Sequence, residues 1–266
     1  MKKTKTHALF AIANLVRKEL FSGWGAMALF LAAMLLTVGA PFLVASKEDP
    51  TLIPSTRTQV ACFFAWAITI FWANLRLASI GSEQRLRNLS LFWRCMGVSD
   101  FSRYLATLAP FFSVSLACNT LAGAAYFWSY LSGQQPAMVL LAAALQFAAL
   151  ATTVQLGLYF ITLGLSAVIT GPSAFFLAMC LGLYGIYGAG IVALLGGGTS
   201  NPIGGFLWAV SPQLSLGDQT TRLVFNWGSL PAQDFFAILA YCALWTAGAF
   251  LLGLGLFKEG RLSASA

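Results

Sequence analysis

From Tyr104 to Gly217 the chain runs for 114 residues without one Asp, Glu, Lys or Arg. A soluble domain carries about 25% charged residues, spread along its length. A run this long and this uncharged cannot keep a polar surface in water, so it belongs in lipid. Across the 266 residues only 9% are charged and 59% are hydrophobic. Strand alternation in ten-residue units, the mark of a membrane barrel, is absent. The fold class expected is therefore an all-α membrane protein built as one domain.

Six segments match the ~20 apolar residues that a spanning helix needs. They are Trp24–Ala45, Val60–Ile80, Tyr104–Leu131, Ala137–Gly164, Phe175–Leu195 and Phe235–Phe257. Charge or Gly, Pro and Ser turn signals bound each of them. Lys47–Gln59, with Pro50 and Pro54, reads as a short outer loop. Lys and Arg set the orientation, because they stay on the cytosolic side. With an inside N-terminus, five basic residues fall in 1–23, five in 76–103 and two in 258–266. The outer side keeps only Lys47, Arg57 and Arg222. Both termini are thus expected in the cytosol, and topology accounts for the net charge of +7. No basic stripe interleaved with aromatics suggests nucleic acid.

Before the first span, Leu9, Ile12, Ala13, Val16 and Leu20 share one helical face, with Asn14, Arg17 and Lys18 on the other. Such a basic amphipathic helix would lie in the inner headgroup layer. Gly23 and Gly25 would supply the bend; the alternative is a first span merely extended into the cytosol. Arg17, Lys18 and Glu19 interrupt the apolar start before any small-residue cleavage site, so the N-terminus reads as uncleaved. The stretch 196–234, with three glycines at its start and Pro202, Pro212 and Pro231, is expected to form short capping or re-entrant helices; Trp208 and Trp227 suit the headgroup level. The alternative there is a plain connecting loop.

Several chemistries are excluded or weakened. Cys62, Cys95, Cys118, Cys180 and Cys242 stand singly, without a C-x-x-C pair, and read as small apolar residues. His7 is the single histidine, so neither a zinc helix nor a serine triad can be assembled in the membrane. Leu131-Ser132-Gly133-Gln134-Gln135 matches an ATPase signature, but falls in an outer loop, and no G-x-x-x-x-G-K-[ST] phosphate loop exists. The spans hold almost no ionisable residues, which argues against a proton- or sodium-coupled carrier. Uncharged polar residues do occur inside: Asn74, Asn119, Gln146, Thr152, Thr153 and Gln155. Gln146 and Gln155 lie nine apart and so face opposite ways. Bonds between helices are the expected use, with lining of a translocation path as the alternative. Gly185, Ala189 and Ala193 form a small-residue face suited to close helix packing, within or between subunits.

Against this background, residues 76–103 are an island of charge, with five arginines, Glu83 and Asp100. Within 83–100, Leu86, Leu89, Phe92, Trp93 and Met96 recur at helical spacing, while Arg87, Ser90 and Arg94 point elsewhere, so a short cytosolic helix is expected there. Gly97 is expected to stop this short helix and Ser99 to cap the next. The helix would rest its apolar side on the bundle and show arginines to a soluble partner; the alternative is a loop that only sets topology.

The segment Ile80-Gly81-Ser82-Glu83, Leu89-Ser90-Leu91, Gly97-Val98-Ser99 and Tyr104-Leu105 resembles the loop after the second span in type-2 ABC exporter permeases. Leu15-Val16-Arg17-Lys18-Glu19-Leu20 is similar to that family's start, and Leu256-Phe257-Lys258 to its basic tail. This chain has Arg87-Asn88 where the family has Gly-Thr, and Asp100 where it has Arg. The resemblance implies a transmembrane subunit of the bacterial inner membrane with no ATPase site and no cofactor of its own. It would pair with a second permease subunit and with two ABC ATP-binding subunits that carry ATP and magnesium. Arg17, Lys18, Glu83, Arg87, Leu89, Phe92, Trp93, Arg94 and Met96 would form the docking side. A scaffold that docks some other soluble protein is the rival reading.

Overall fold

The computed structural model describes residues 2–22, 24–45, 52–87, 89–196 and 212–262, and these are helical apart from short connections. In chain order, α1 is Lys2–Leu20, α2 Trp24–Ala45, α3 Ile53–Trp66 and α4 Asn74–Leu86, with a π-helical stretch at Ala67–Ala73 joining the last two. There follow α5 (Leu89–Cys95), α6 (Asp100–Tyr130), α7 (Ala137–Val168) and α8 (Gly171–Gly196). After a 3₁₀ turn at Leu214–Gly217 come α9 (Thr220–Val224) and α10 (Ala232–Leu262).

Five of these units are long and apolar enough to cross a membrane: Ile53–Leu86, Asp100–Tyr130, Ala137–Val168, Gly171–Gly188 and Ala232–Glu259. A sixth arises if α1 and α2 are counted as one bent pair, for they meet at 69°. That angle rules out a straight extension of the first span. The helices also overrun the apolar segments. Pro54, in the first turn of α3, is pre-set for a helix start. Residues 53–59 are therefore helical, which corrects the expectation of a loop up to Gln59. Between α7 and α8 only Ile169 and Thr170 remain outside helix.

Helix α7 is the centre of the bundle. It packs on α6, α4, α8 and α10, and its face from Leu150 to Ala167 is nearly all buried. Glycines let the neighbours come to backbone contact. A Cβ on Gly164 would sit 2.5 Å from the carbonyl oxygen of Gly253 in α10. One on Gly81 of α4 would overlap the Ser166 hydroxyl of α7. Lipid tails are as apolar as the side chains, so such close packing, rather than water exclusion, holds helices together in a bilayer. By contrast α2 leaves Met27, Leu31, Met34, Leu35 and Val38 exposed, and α10 leaves Leu244, Leu251 and Leu252 exposed.

Helix α1 buries Ala8, Ile12, Val16 and Leu20 against the bundle, chiefly on α6. Leu9 and Ala13 are half-buried, so the buried stripe is turned toward Ala8 from the one read off the sequence. In the stretch before α10, the described part holds the 3₁₀ turn and α9; Phe206–Val210 and Trp208 lie outside the described residues. Trp227 is exposed and stacks on Phe225 with ring centroids 5.8 Å apart.

Candidate functional site

Two sets of residues carry the polar chemistry of the chain. The first is the charged island at the end of α4. Helix α5 ends as expected: Gly97 takes φ +74°, and the Val98 N–H donates to Trp93 O at 3.0 Å. A left-handed residue at that place closes the last turn and satisfies a carbonyl the helix leaves open. Ser99 then caps α6, its Oγ accepting from the Ser102 N–H at 3.2 Å. The amphipathic helix itself is shorter than 83–100, because α4 stops at Leu86 and α5 begins at Leu89.

The apolar residues expected to rest on the bundle do so only in part. Leu86 is 74% exposed, Phe92 55% and Met96 44%. Among the described side chains of α5, Trp93, half-buried, packs on the core, while Phe92 meets it edge-on with centroids 5.1 Å apart. Leu89 is half-buried. A seven-residue helix has two turns, and with Trp93 as its anchor Phe92 stays outward.

Three of the island's five arginines, none of them among the expected docking residues, serve the fold. Arg76 donates to Glu19 O, to Ser22 O and to Ser22 Oγ, at the end of α1. Arg85 donates to Val168 O at the end of α7. Both place a cation on carbonyls of a helix's last turn, where its dipole is negative. Arg103 is buried, with its guanidinium carbon 4.5 Å from the centre of the Phe257 ring. Sequence shows charge but not which carbonyl it reaches, so these roles were hidden in it. Arg87 is well exposed and pairs with Glu83 at 3.5 Å, and Arg17 and Lys18 are exposed in the last turn of α1. The side chain of Arg94 lies outside the described set.

The structure brings the end of α1 and the end of α4 together. Burial pushes the Glu19 carboxyl above its ordinary value; the Glu83 carboxylate adds to this, and Arg87 and Arg76 oppose it. The cluster thus comprises Glu19, Arg76, Glu83 and Arg87, with Phe92 of α5 and Met96 just after it beyond.

The second set is a polar seam where the π stretch and α4, α6 and α7 meet. Asn119 Nδ2 donates to Thr152 Oγ1 at 3.0 Å and to Gln155 Oε1 at 2.8 Å, and the Gln155 amide returns a longer bond of 3.4 Å. Tyr159 donates to Thr69 O at 3.0 Å, so its oxygen accepts from Ser115 Oγ at 2.7 Å. Thr162 Oγ1 donates to Asn74 Oδ1 at 2.7 Å, while Asn74 Nδ2 donates to Ile70 O at 2.9 Å. All of these side chains are buried. Two carbonyls of the π stretch, Thr69 O and Ile70 O, therefore accept side-chain donors. A π turn widens the helix and recurs at functional positions.

Gln146 is used elsewhere, as its nine-residue offset from Gln155 requires. Its Oε1 accepts from the Leu230 N–H at 2.7 Å and its Nε2 donates to Leu230 O at 3.1 Å. This clamps the connection before α10 to α7. Gly185 packs within the chain, since a Cβ there would lie 2.6 Å from Leu214 and 3.2 Å from Pro212 O. The side chain of Ala189 lies outside the described set. No group of three or more metal-ligating side chains forms among the described residues.

No protein-family model matches the chain, and no curated protein matches it.

Proposed function

We propose that this chain is the transmembrane subunit of an ATP-driven ABC exporter in a bacterial inner membrane, with both termini cytosolic. One observation carries the reading. Between the second and third long helices, on the side richest in Lys and Arg, α5 and the residues that flank it present Leu86, Phe92 and Met96 unburied. Three exposed apolar side chains on and beside one short helix suit a protein partner better than water. The motif resemblance at the same residues names that partner as an ATP-binding subunit. A second permease subunit would complete the path, and ATP with magnesium would sit on the partners.

The scarcity of charge inside the spans favours this reading over an ion-coupled carrier. Movement of the partners would push on α5. Because α4 is fixed to the end of α1 by Arg76 and to the end of α7 by Arg85, that push would reach three helices at once.

The test is purification of the full chain from its own membranes. An ATP-binding cassette protein should co-purify. Phe92→Glu and Met96→Glu, both at exposed positions, should release it while leaving the permease folded. Retention of the partner in both variants would remove α5 from docking. Capture through α5 of a soluble protein with no ATP site would favour the scaffold reading.

A further inference from the structure

A cleft of about 410 Å³ opens between the second long helix and α8, on the side expected to face outward. Gln59, Phe63, Trp66, Phe71, Tyr187 and Asp218 are among its walls. That volume is within the range of small-molecule sites, which are mostly apolar with a few placed polar groups. Four aromatic rings and one carboxylate are a particular combination. Phe63, Phe71 and Tyr187 are each more than half exposed, so their faces are open to a ligand.

The carboxylate is held in place. Asp218 Oδ1 accepts from the Thr220 N–H at 3.0 Å, and the Trp66 indole N–H donates to Thr220 Oγ1 at 3.2 Å. Asp218 Oδ2 takes no hydrogen bond from the described residues, and none of their cations pairs with it. The arginines of that side are engaged elsewhere. Arg57 lies over the Phe42 ring at 6.0 Å, and Arg222 donates to Gly228 O. Residues 197–211, which precede Asp218 in the chain, contain no Lys or Arg, and Lys47 lies outside the described residues. The cleft thus carries one negative charge among aromatic faces, and aromatic faces attract cations as well as apolar surface.

We propose that this cleft binds an amphipathic organic cation, its apolar body against Phe63, Trp66, Phe71 and Tyr187 and its charge beside Asp218. As a substrate site it rests on the exporter reading; as a binding site it does not.

The experiment uses the full chain in phosphatidylcholine nanodiscs and the probe tetraphenylphosphonium, with tetraphenylborate as the anion of the same shape. Tetraphenylphosphonium should bind, and tetraphenylborate should not displace it. Asp218→Asn keeps an oxygen for the Thr220 N–H and removes the charge; it should weaken binding about tenfold or more. Tyr187→Leu and Phe63→Leu should each weaken it about threefold or more. Equal binding to the Asp218→Asn protein, or equal competition by tetraphenylborate, would reduce the cleft to a non-selective apolar surface and overturn the proposal. Unchanged affinity in both ring variants would overturn it as well. The same Asp218→Asn protein is assayed for its ATP-binding partner, which should be retained. Charge-dependent binding without any such partner would sink the exporter reading and leave the cleft standing; the partner without charge-dependent binding would do the reverse.

Discussion

Replacing Asn119 by Leu tests whether the polar seam holds the bundle together. Asn119 is fully buried and donates two bonds, at 3.0 Å to Thr152 and at 2.8 Å to Gln155. Hydrogen bonds between membrane helices average about 0.6 kcal/mol and reach about 1.7 kcal/mol. The larger cost lies in what remains. Gln155 is also fully buried, and its amide would lose its partner on α6, a penalty of about 1–3 kcal/mol. The single substitution should therefore destabilise by about 2 kcal/mol. Gln155→Leu should cost less, about 1 kcal/mol, because Asn119 keeps Thr152. Removing both leaves no orphaned amide on either side. The double variant should then lose only about 1.5 kcal/mol, which leaves a coupling near 1.5 kcal/mol between residues in contact. Reversible unfolding in mixed micelles with rising sodium dodecyl sulfate measures all three. Additive losses, within about 0.5 kcal/mol, would refute the claim that the two amides stabilise α6 on α7 through each other.

Three further outcomes follow from the same geometry. Gly253→Val should abolish a stable bundle, with a loss of several kcal/mol, on the order of an overpacked core, because its Cβ would overlap Phe160 O and the Tyr104 hydroxyl; yield and thermal midpoint in detergent check this, and a normal midpoint would refute the α7–α10 contact. Arg76→Leu should loosen the end of α1 by about 1 kcal/mol, read as faster amide exchange at Phe21 and Ser22, whose neighbours Arg76 holds. Glu19→Gln should raise the midpoint at about pH 8 and lose that advantage by about pH 4. The sign follows from the raised folded pKa: the folded state prefers the protonated acid, so ionisation costs stability above the titration and nothing below it. An advantage that grows as pH falls would refute the assigned cause.

How much was legible beforehand differs from residue to residue. Gly97 and Ser99 were readable because a left-handed stop and a hydroxyl cap depend on local backbone alone. The opposite facing of Gln146 and Gln155 was readable because helical geometry fixes it. Their partners were not, since Leu230 and Asn119 come from elsewhere in the chain. The small-residue face at Gly185 stood out in sequence, yet helices also meet at backbone distance where Gly164 packs on Gly253, and no motif marks the second residue. The cleft beside Asp218 gave no sequence signal at all, because its walls come from three separated segments.

The sequence by itself determined that this chain is helical, apolar over most of its length, and basic toward one side. Those are properties of composition and period, which lipid and water sort without reference to any contact. Tertiary structure alone decided what the charged island does. Helix ends expose carbonyls only where the fold puts them, and folding brought the ends of α1 and α7 to Arg76 and Arg85. It also decided that Leu86, Phe92 and Met96 stay uncovered, since α5 is only two turns long and is anchored by Trp93, so neither it nor the residues flanking it are laid flat on the bundle.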